Sequence, residues 1–162
     1  MVKKLLVMIQ VLGFLLAAVS VLADSPNGTL VIELNSLSDI DNMGVNWVDG
    51  ALTFKGKTHP FKIKGLKLNA VGVRTLTAQG GVYRLQAPSD LAGKYQKVDQ
   101  AGIPSLAGQK GLVIRNGHGV VINLRIIKRK LEGKVRTVRD VFKKEVVLLD
   151  LVPEGLTIDQ VK

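Results

Sequence analysis

The stretch VNWVDGALTFKGKTHPFKIKGL, residues 45–66, decides the class of fold. Asp49-Gly50 lies between apolar residues, and an Asp-Gly pair in that setting predicts a tight type I′ turn, because both central positions need a positive φ. Gly56-Lys57 predicts a second tight turn. Around these turns apolar residues alternate with polar ones, which assigns four of them to one sheet face: Leu52, Phe54, Phe61 and Ile63. The stretch therefore predicts a three-stranded meander.

The same alternation recurs on both sides of this meander. It predicts a first strand at 29–35, a hairpin turning at Gly80-Gly81, and later strands at 111–115, 120–127, 146–152 and 156–161. Residues 87–109 contain repeated Pro and Gly and predict a surface excursion. We predict an all-β domain, a small antiparallel barrel or sandwich built from meanders, with one basic insertion near the C-terminus.

The first 23 residues have the three parts of a secretory signal. Lys3 and Lys4 precede a long apolar run, and Val21-Leu22-Ala23 is an acceptable cleavage motif. The alternative is an uncleaved anchor, since the run is near the lower limit for spanning a bilayer. We expect a signal peptide at 1–23 and one domain at 24–162. With no cysteine in the chain, disulfides, thiol nucleophiles and thiolate metal sites are excluded.

Most of the excess positive charge lies in one segment, residues 125–144, RIIKRKLEGKVRTVRDVFKK, which holds nine basic and two acidic residues. Leu131, Val135, Val138 and Phe142 follow a helical spacing, which predicts a short basic amphipathic helix of the kind that binds anionic membranes. The alternative is a long hairpin or helix whose apolar edge covers the sheet and whose cations are solvated. The candidate residues for binding an anionic surface are Arg125, Lys128, Arg129, Lys130, Lys134, Arg136, Arg139, Lys143 and Lys144.

Motifs for catalysis and metal binding are missing from the sequence. His59 and His118 have no second ligand at a metal-binding spacing, and the carboxylates are scattered. Nucleic-acid binding favours basic residues interleaved with aromatic ones, whereas the basic segment contains only Phe142. We therefore expect no catalytic residues, no metal, no cofactor and no nucleic-acid partner.

Residues 44–66, GVNWVDGALTFKGKTHPFKIKGL, resemble a motif of small exported proteobacterial proteins of unknown function. That motif reads G-V-x-W-G-D-G-x-L-T-F-x-G-K-x-Y-P-F-x-V-x-G-L. Later parts of the pattern correspond to 71–73 (VGV), 82–85 (VYRL) and 116–124. Val48 and His59 depart from the motif, and the basic segment resembles an insertion. The resemblance implies an envelope location and an all-β domain, and it supplies no catalytic residue.

The chain carries a net charge of +10, or +8 once Lys3 and Lys4 are removed with the signal, and this balance favours anionic partners. We expect a non-enzymatic protein of the cell envelope, exported to the periplasm of a Gram-negative bacterium. The basic segment would bind anionic lipid or a cell-wall polymer. Two alternatives stay open: a barrel that holds a small apolar ligand, and an assembly partner of other envelope proteins.

Overall fold

The chain folds into an all-β structure. The computed structural model describes residues 25–35, 43–69, 73–99, 102–103, 106, 109–131 and 148–160. Within these ranges the elements are β1 (Gly28–Leu34), β2 (Val48–Phe54), β3 (Lys57–Lys64), β4 (Leu66–Asn69), β5 (Val73–Tyr83), a 3-10 helix (Pro88–Leu91), β6 (Gly93–Lys97), β7 (Leu112–Asn116), β8 (Val121–Leu131), β9 (Leu148–Leu151) and β10 (Leu156–Gln160).

Eight of these strands close into a barrel. The order around it is β1-β2-β3-β10-β6-β7-β8-β5, and every neighbouring pair is antiparallel. The two remaining strands, β4 and β9, pair with each other as a two-stranded ribbon. Since β4 follows β3 and β9 precedes β10, the ribbon extends a pair of strands that already belongs to the barrel. The all-β prediction is confirmed, and the architecture is a barrel.

The alternation in residues 45–66 is confirmed, but the predicted turn at Asp49-Gly50 is wrong. Both residues lie in the middle of β2, which forms a hairpin with β3. The turn is at Lys55-Gly56, where both residues have positive φ, 49° and 75°. Gly50 faces the interior, and a Cβ added there would lie 2.4 Å from Phe61 Cζ. This glycine therefore makes room for an aromatic ring within a strand.

Gly80-Gly81 was also predicted to be a turn, and this prediction is wrong for the same reason. Both glycines lie inside the continuous strand β5, which pairs with β1 on one side and β8 on the other. A Cβ on Gly80 would lie 2.8 Å from Ile122 Cγ2 and 3.1 Å from Leu30 Cγ. Small barrels fill their interior with side chains, and small residues alternate with large ones to fit the narrowing interior. An inward glycine beside larger residues agrees with this pattern.

The barrel interior is one packed core. Its largest fully buried side chains include Tyr95, Phe61, Leu30, Ile32 and Leu52. Opposite walls meet in this cluster, since β1, β3 and β6 all contribute to it. The inward residues of every strand therefore serve as core, which is how an eight-stranded barrel without a central channel is stabilised.

Residues 87–109, predicted to be a surface excursion, contribute to the fold instead. They contain the 3-10 helix and the barrel strand β6. Farther along, Ile103 and Leu106 are buried against Tyr83 and Val121 on the outside of the barrel, in a second apolar cluster. The prediction was wrong because single Pro and Gly residues mark bends between short elements as well as long loops.

One end of the barrel is closed by a hydrogen-bonded cap, and we call it the capped end. Asn27 Nδ2 donates to Leu85 O at 2.5 Å, and Leu85 N donates to Asn27 Oδ1 at 3.2 Å. Beside them, Asn116 Nδ2 donates to Asp90 O at 2.8 Å and to the Tyr95 hydroxyl at 3.2 Å. These bonds attach the 3-10 helix across the barrel mouth.

The basic segment does not begin as a helix. Strand β8 continues through Leu131, so residues 125–131 are extended and pair with β5. The prediction of a helix whose apolar face includes Leu131 is therefore wrong, because the barrel supplies a backbone partner for this part of the segment. Residues 132–147 and the predicted signal at 1–23 lie outside the described residues. Among the residues that are described, no helix is long and apolar enough to cross a bilayer.

Candidate functional site

The end of the barrel opposite the cap carries the strand termini on which the candidate residues lie. Here β1 ends, β2 begins, β3 continues into β4, and β8 projects past β7. We call this end the rim. It comprises residues 35, 43–47, 64–69, 97, 110–111, 125–131 and 148–152. Among the described residues, β8 ends at Leu131, and the chain resumes at Leu148, the first residue of β9 in the ribbon.

The structure places four of the nine candidate cations on β8. Arg125 and Lys128 have exposed side chains, and Arg129 and Lys130 occupy the next backbone positions of the strand. These four are therefore brought together at the rim. The other five lie outside the described residues: Lys134, Arg136, Arg139, Lys143 and Lys144.

A β-bulge at Ile127 sets the direction of these side chains. Lys128 pairs with Thr77 and Ile126 pairs with Ala78, so Ile127 has no partner in the register between them. Because side chains alternate along a strand, Lys128 would otherwise share the face of Ile126, which packs against the core. The extra residue leaves Ile127 and Lys128 both exposed.

Three large apolar side chains are exposed among the described residues, and all three lie at the rim. The exposed fractions are 72% for Val45, 57% for Ile127 and 45% for Trp47. Val45 and Trp47 precede β2, whereas Ile127 is on β8, so they lie on different sides of the same barrel mouth. Apolar side chains beside cations are typical of surfaces that contact a lipid interface.

A second group of cations at the rim is partly neutralised. Lys97 Nζ lies 3.4 Å from Asp150 Oδ1. A hydrogen bond from the Leu151 backbone N–H, at 2.9 Å, lowers the pKa of the Asp150 carboxyl, and Lys97 and Lys67 lower it further. Asp150 therefore offsets one of the two lysines in this part of the rim, whereas the exposed cations Arg125 and Lys128 lie on β8.

On the outer wall next to the rim, β1 and β2 form a groove of about 550 Å³. Val31 and Ala51, which face each other across the two strands, form its floor. Trp47 stands at its edge, and three polar side chains line it: Glu33, Asn35 and Asp49. The small side chain of Ala51 leaves the sheet surface open beneath Trp47.

Two lysines of β3 flank this groove. Lys62 Nζ lies 3.1 Å from Asp49 Oδ1, and Lys64 Nζ lies 5.7 Å from the centroid of the Trp47 ring. Lys62 and Lys64 are two residues apart on one strand, so both side chains lie on its outer face. They therefore reach Asp49 and Trp47 from the same side. The Lys62–Asp49 pair is a surface ion pair, since the two side chains are 48% and 82% exposed, so its charged groups stay accessible to solvent.

Sequence reasoning missed the groove. Its residues come from β1 and β2, and the alternation within each strand does not show in which register the two strands pair. In the sequence Glu33 and Asp49 are therefore two separate carboxylates. The one available signal was Trp47, the single tryptophan of the sequence, next to a strand that alternates cleanly. Within the described ranges no three potential metal-ligating side chains gather at one place.

Comparisons with known proteins do not add to this geometry. No family model matches the chain, and neither a curated protein nor a solved structure matches it.

Proposed function

We propose that this is a non-enzymatic, exported protein of the cell envelope that associates with anionic lipid surfaces through its rim. The observation that carries the proposal is the coincidence of two features at one end of the barrel. The exposed apolar side chains Val45 and Ile127 lie there, and so do the exposed cations Arg125 and Lys128. A capped opposite end leaves the rim as the end with surface chemistry suited to a membrane.

The binding energy expected from these side chains supports reversible association with a lipid surface. Each Lys or Arg close to an anionic lipid surface contributes about 1 kcal/mol, and the effect falls off within a Debye length of about 8 Å at physiological salt. An isoleucine that enters the interface adds about 1.5–3 kcal/mol if it is fully buried. Several cations with one or two apolar contacts therefore suit peripheral association that salt weakens.

The packed interior favours this surface function over an apolar ligand held inside the barrel. Tyr95, Phe61 and Leu52 meet across the lumen in the same cluster as residues from the other walls. A ligand of drug-like size would have to displace that core, whose close packing contributes to stability.

Co-sedimentation of residues 24–162 with lipid vesicles tests the proposal. Neutral vesicles are compared with vesicles containing anionic lipid, at low and at physiological salt. We expect binding to anionic vesicles that decreases as salt rises. The test variant changes four basic residues to Gln: Lys128, Lys130, Lys134 and Arg136. We expect it to bind anionic vesicles about tenfold more weakly, or worse.

The matched control changes three lysines and one arginine away from the rim to Gln: Lys55, Lys57, Lys94 and Arg115. It has the same net charge as the test variant, so a general electrostatic effect would weaken both equally. Binding that is equal for the two variants, or that does not distinguish neutral from anionic lipid, would contradict the proposal. Retention by an insoluble anionic polymer without vesicle binding would instead indicate a cell-wall partner.

A further inference from the structure

The groove between Trp47 and Glu33 has a different chemistry from the basic part of the rim. Two carboxylates, Glu33 and Asp49, lie in it, and two ammonium groups, Lys62 and Lys64, flank it. The charges balance, so the groove offers neither an anion nor a cation a net attraction. Its ligand would be recognised by shape and hydrogen bonding.

We propose that this groove is a binding site for a neutral saccharide. The indole of Trp47 is about half exposed, at 45%, and it presents an apolar ring whose face carries negative potential. The C–H face of a pyranose ring is apolar and weakly positive, so it stacks on such a surface. Lys64 Nζ, 5.7 Å from the ring centroid, adds a hydrogen-bond donor beside the indole.

The polar lining supplies what sugar hydroxyls need. The ionised carboxylates of Glu33 and Asp49 accept hydrogen bonds, and the Asn35 amide both donates and accepts them. Lys62 holds Asp49 at 3.1 Å and adds a donor beside it. Each hydroxyl of a saccharide is both a donor and an acceptor, so a mixed set of donor and acceptor groups matches it better than a lining of one type.

The floor of the groove fits a ring-shaped ligand. Val31 and Ala51 are opposed on adjacent strands and are only partly buried, so a flat apolar surface lies between the polar groups. A volume of about 550 Å³ is within the range of small-ligand sites. It leaves room for more than one sugar ring along the β1–β2 wall.

Intrinsic fluorescence gives a direct test, because Trp47 is the only tryptophan in the chain. Residues 24–162 are titrated with chitotetraose, cellotetraose and maltotetraose in the absence of lipid. We expect a saturable change in Trp47 emission with at least one of these neutral oligosaccharides, at a Kd of about 1 mM or tighter. The Glu33→Gln variant is expected to bind that sugar several-fold more weakly.

Isothermal calorimetry or ligand-observed NMR extends the test to Trp47→Ala, which has no tryptophan to report binding. We expect this variant to bind about tenfold more weakly or not at all, and Trp47→Phe to retain part of the affinity. Glu154→Gln, an exposed carboxylate in the turn before β10, is the matched control for Glu33→Gln and should bind as the parent does. Circular dichroism establishes that each variant is folded.

Three results would overturn the proposal: no saturable response to any of the three sugars up to about 10 mM, unchanged binding by Trp47→Ala, or tighter binding of an acidic than of a neutral oligosaccharide. The site goes beyond the proposed function and does not depend on it. Failure of vesicle binding would leave the saccharide result unaffected, since no lipid is present in this experiment.

Discussion

At the scale of single residues, the glycines that face the barrel interior matter because each leaves space for a neighbouring side chain. Gly50 sits opposite Phe61 in the β2–β3 register, and the ring of Phe61 covers its Cα. Gly80 plays the same part between Leu30 and Ile122. Both are in extended strands, where glycine is otherwise unfavourable, so packing outweighs local propensity at these positions.

The substitution Gly50→Ala tests this packing. A Cβ placed 2.4 Å from Phe61 Cζ forces the ring to move, and we expect the free energy of unfolding to fall by about 1–3 kcal/mol in urea denaturation. Gly117→Ala is the control, because nothing lies within 4 Å of its added Cβ, and its effect should be within about 0.5 kcal/mol. In a Phe61→Leu background the penalty of Gly50→Ala should shrink, since the two sites are coupled.

Tyr95 links the core to the cap through its hydroxyl group. The hydroxyl donates to Leu91 O at 2.6 Å and accepts from Asn116 Nδ2 at 3.2 Å. Burial raises the pKa of the Tyr95 phenol well above its usual value. The folded state therefore holds the proton more tightly than the unfolded state, whose tyrosine ionises near pH 10. This part of the stability is fully present below about pH 10 and decreases as the pH rises above it.

Replacement of Tyr95 by Phe should lower the free energy of unfolding near neutral pH, and this loss should become smaller at high pH. Near neutral pH the variant should be less stable by about 1–3 kcal/mol, because Leu91 O and Asn116 Nδ2 each lose a buried partner. Above about pH 10 the gap should narrow by roughly 1.4 kcal/mol per pH unit, since the variant has no phenol to ionise at this position. Urea denaturation at a series of pH values measures it, and a gap that stays constant would contradict the assignment.

At the scale of elements, the barrel and the β4–β9 ribbon have different backbone environments. Each barrel strand has a partner on both sides, whereas β4 and β9 pair only with each other within the described part of the chain. Gly65, with φ of 101°, marks the bend where β3 becomes β4, and its carbonyl accepts from Val152 N at 3.0 Å. The ribbon is thus hinged to the barrel by a glycine and a backbone hydrogen bond.

Hydrogen exchange followed by NMR should separate these two parts. Amides of β1 and β2 are expected to exchange only through global unfolding, whereas those of β4 and β9 should exchange at least about tenfold faster through local opening. The comparison uses the average over each strand, because alternate amides point to opposite sides. Equal protection of the ribbon and the barrel would contradict this prediction.

At the scale of the whole molecule, the sequence was sufficient for the all-β fold class and for part of the core. Leu52, Phe54, Phe61 and Ile63 were assigned to one face by alternation alone, and all four are buried. The turn predictions were wrong at Asp49-Gly50 and Gly80-Gly81. Both pairs have the composition of turns, yet their glycines accommodate neighbouring side chains inside strands. Only the partner strands distinguish these cases: the next strand along the chain for Gly50, and strands distant in sequence for Gly80.

The candidate sites show the same limit. The charge of the basic segment could be counted from the sequence, but its start as a strand could not, because the pairing of β8 with β5 joins residues far apart in the chain. The adjacent isoleucines Ile126 and Ile127 interrupt the alternation, but such a pair does not by itself locate the bulge that turns Lys128 outward. The groove beside Trp47 depends on the register in which β1 pairs with β2, which no pattern within either strand predicts.

The two described ends of the chain lie at the same end of the barrel. Asn27 is bonded to Leu85, and Gln160 Nε2 donates to Pro88 O at 2.6 Å, so both described ends of the chain leave from the cap. An affinity handle at either terminus would therefore hold the protein on a sensor chip with its rim facing the solution. If residues 1–23 remained in a bilayer, the barrel would act as a spacer, with its basic mouth turned toward whatever surface lies across the gap.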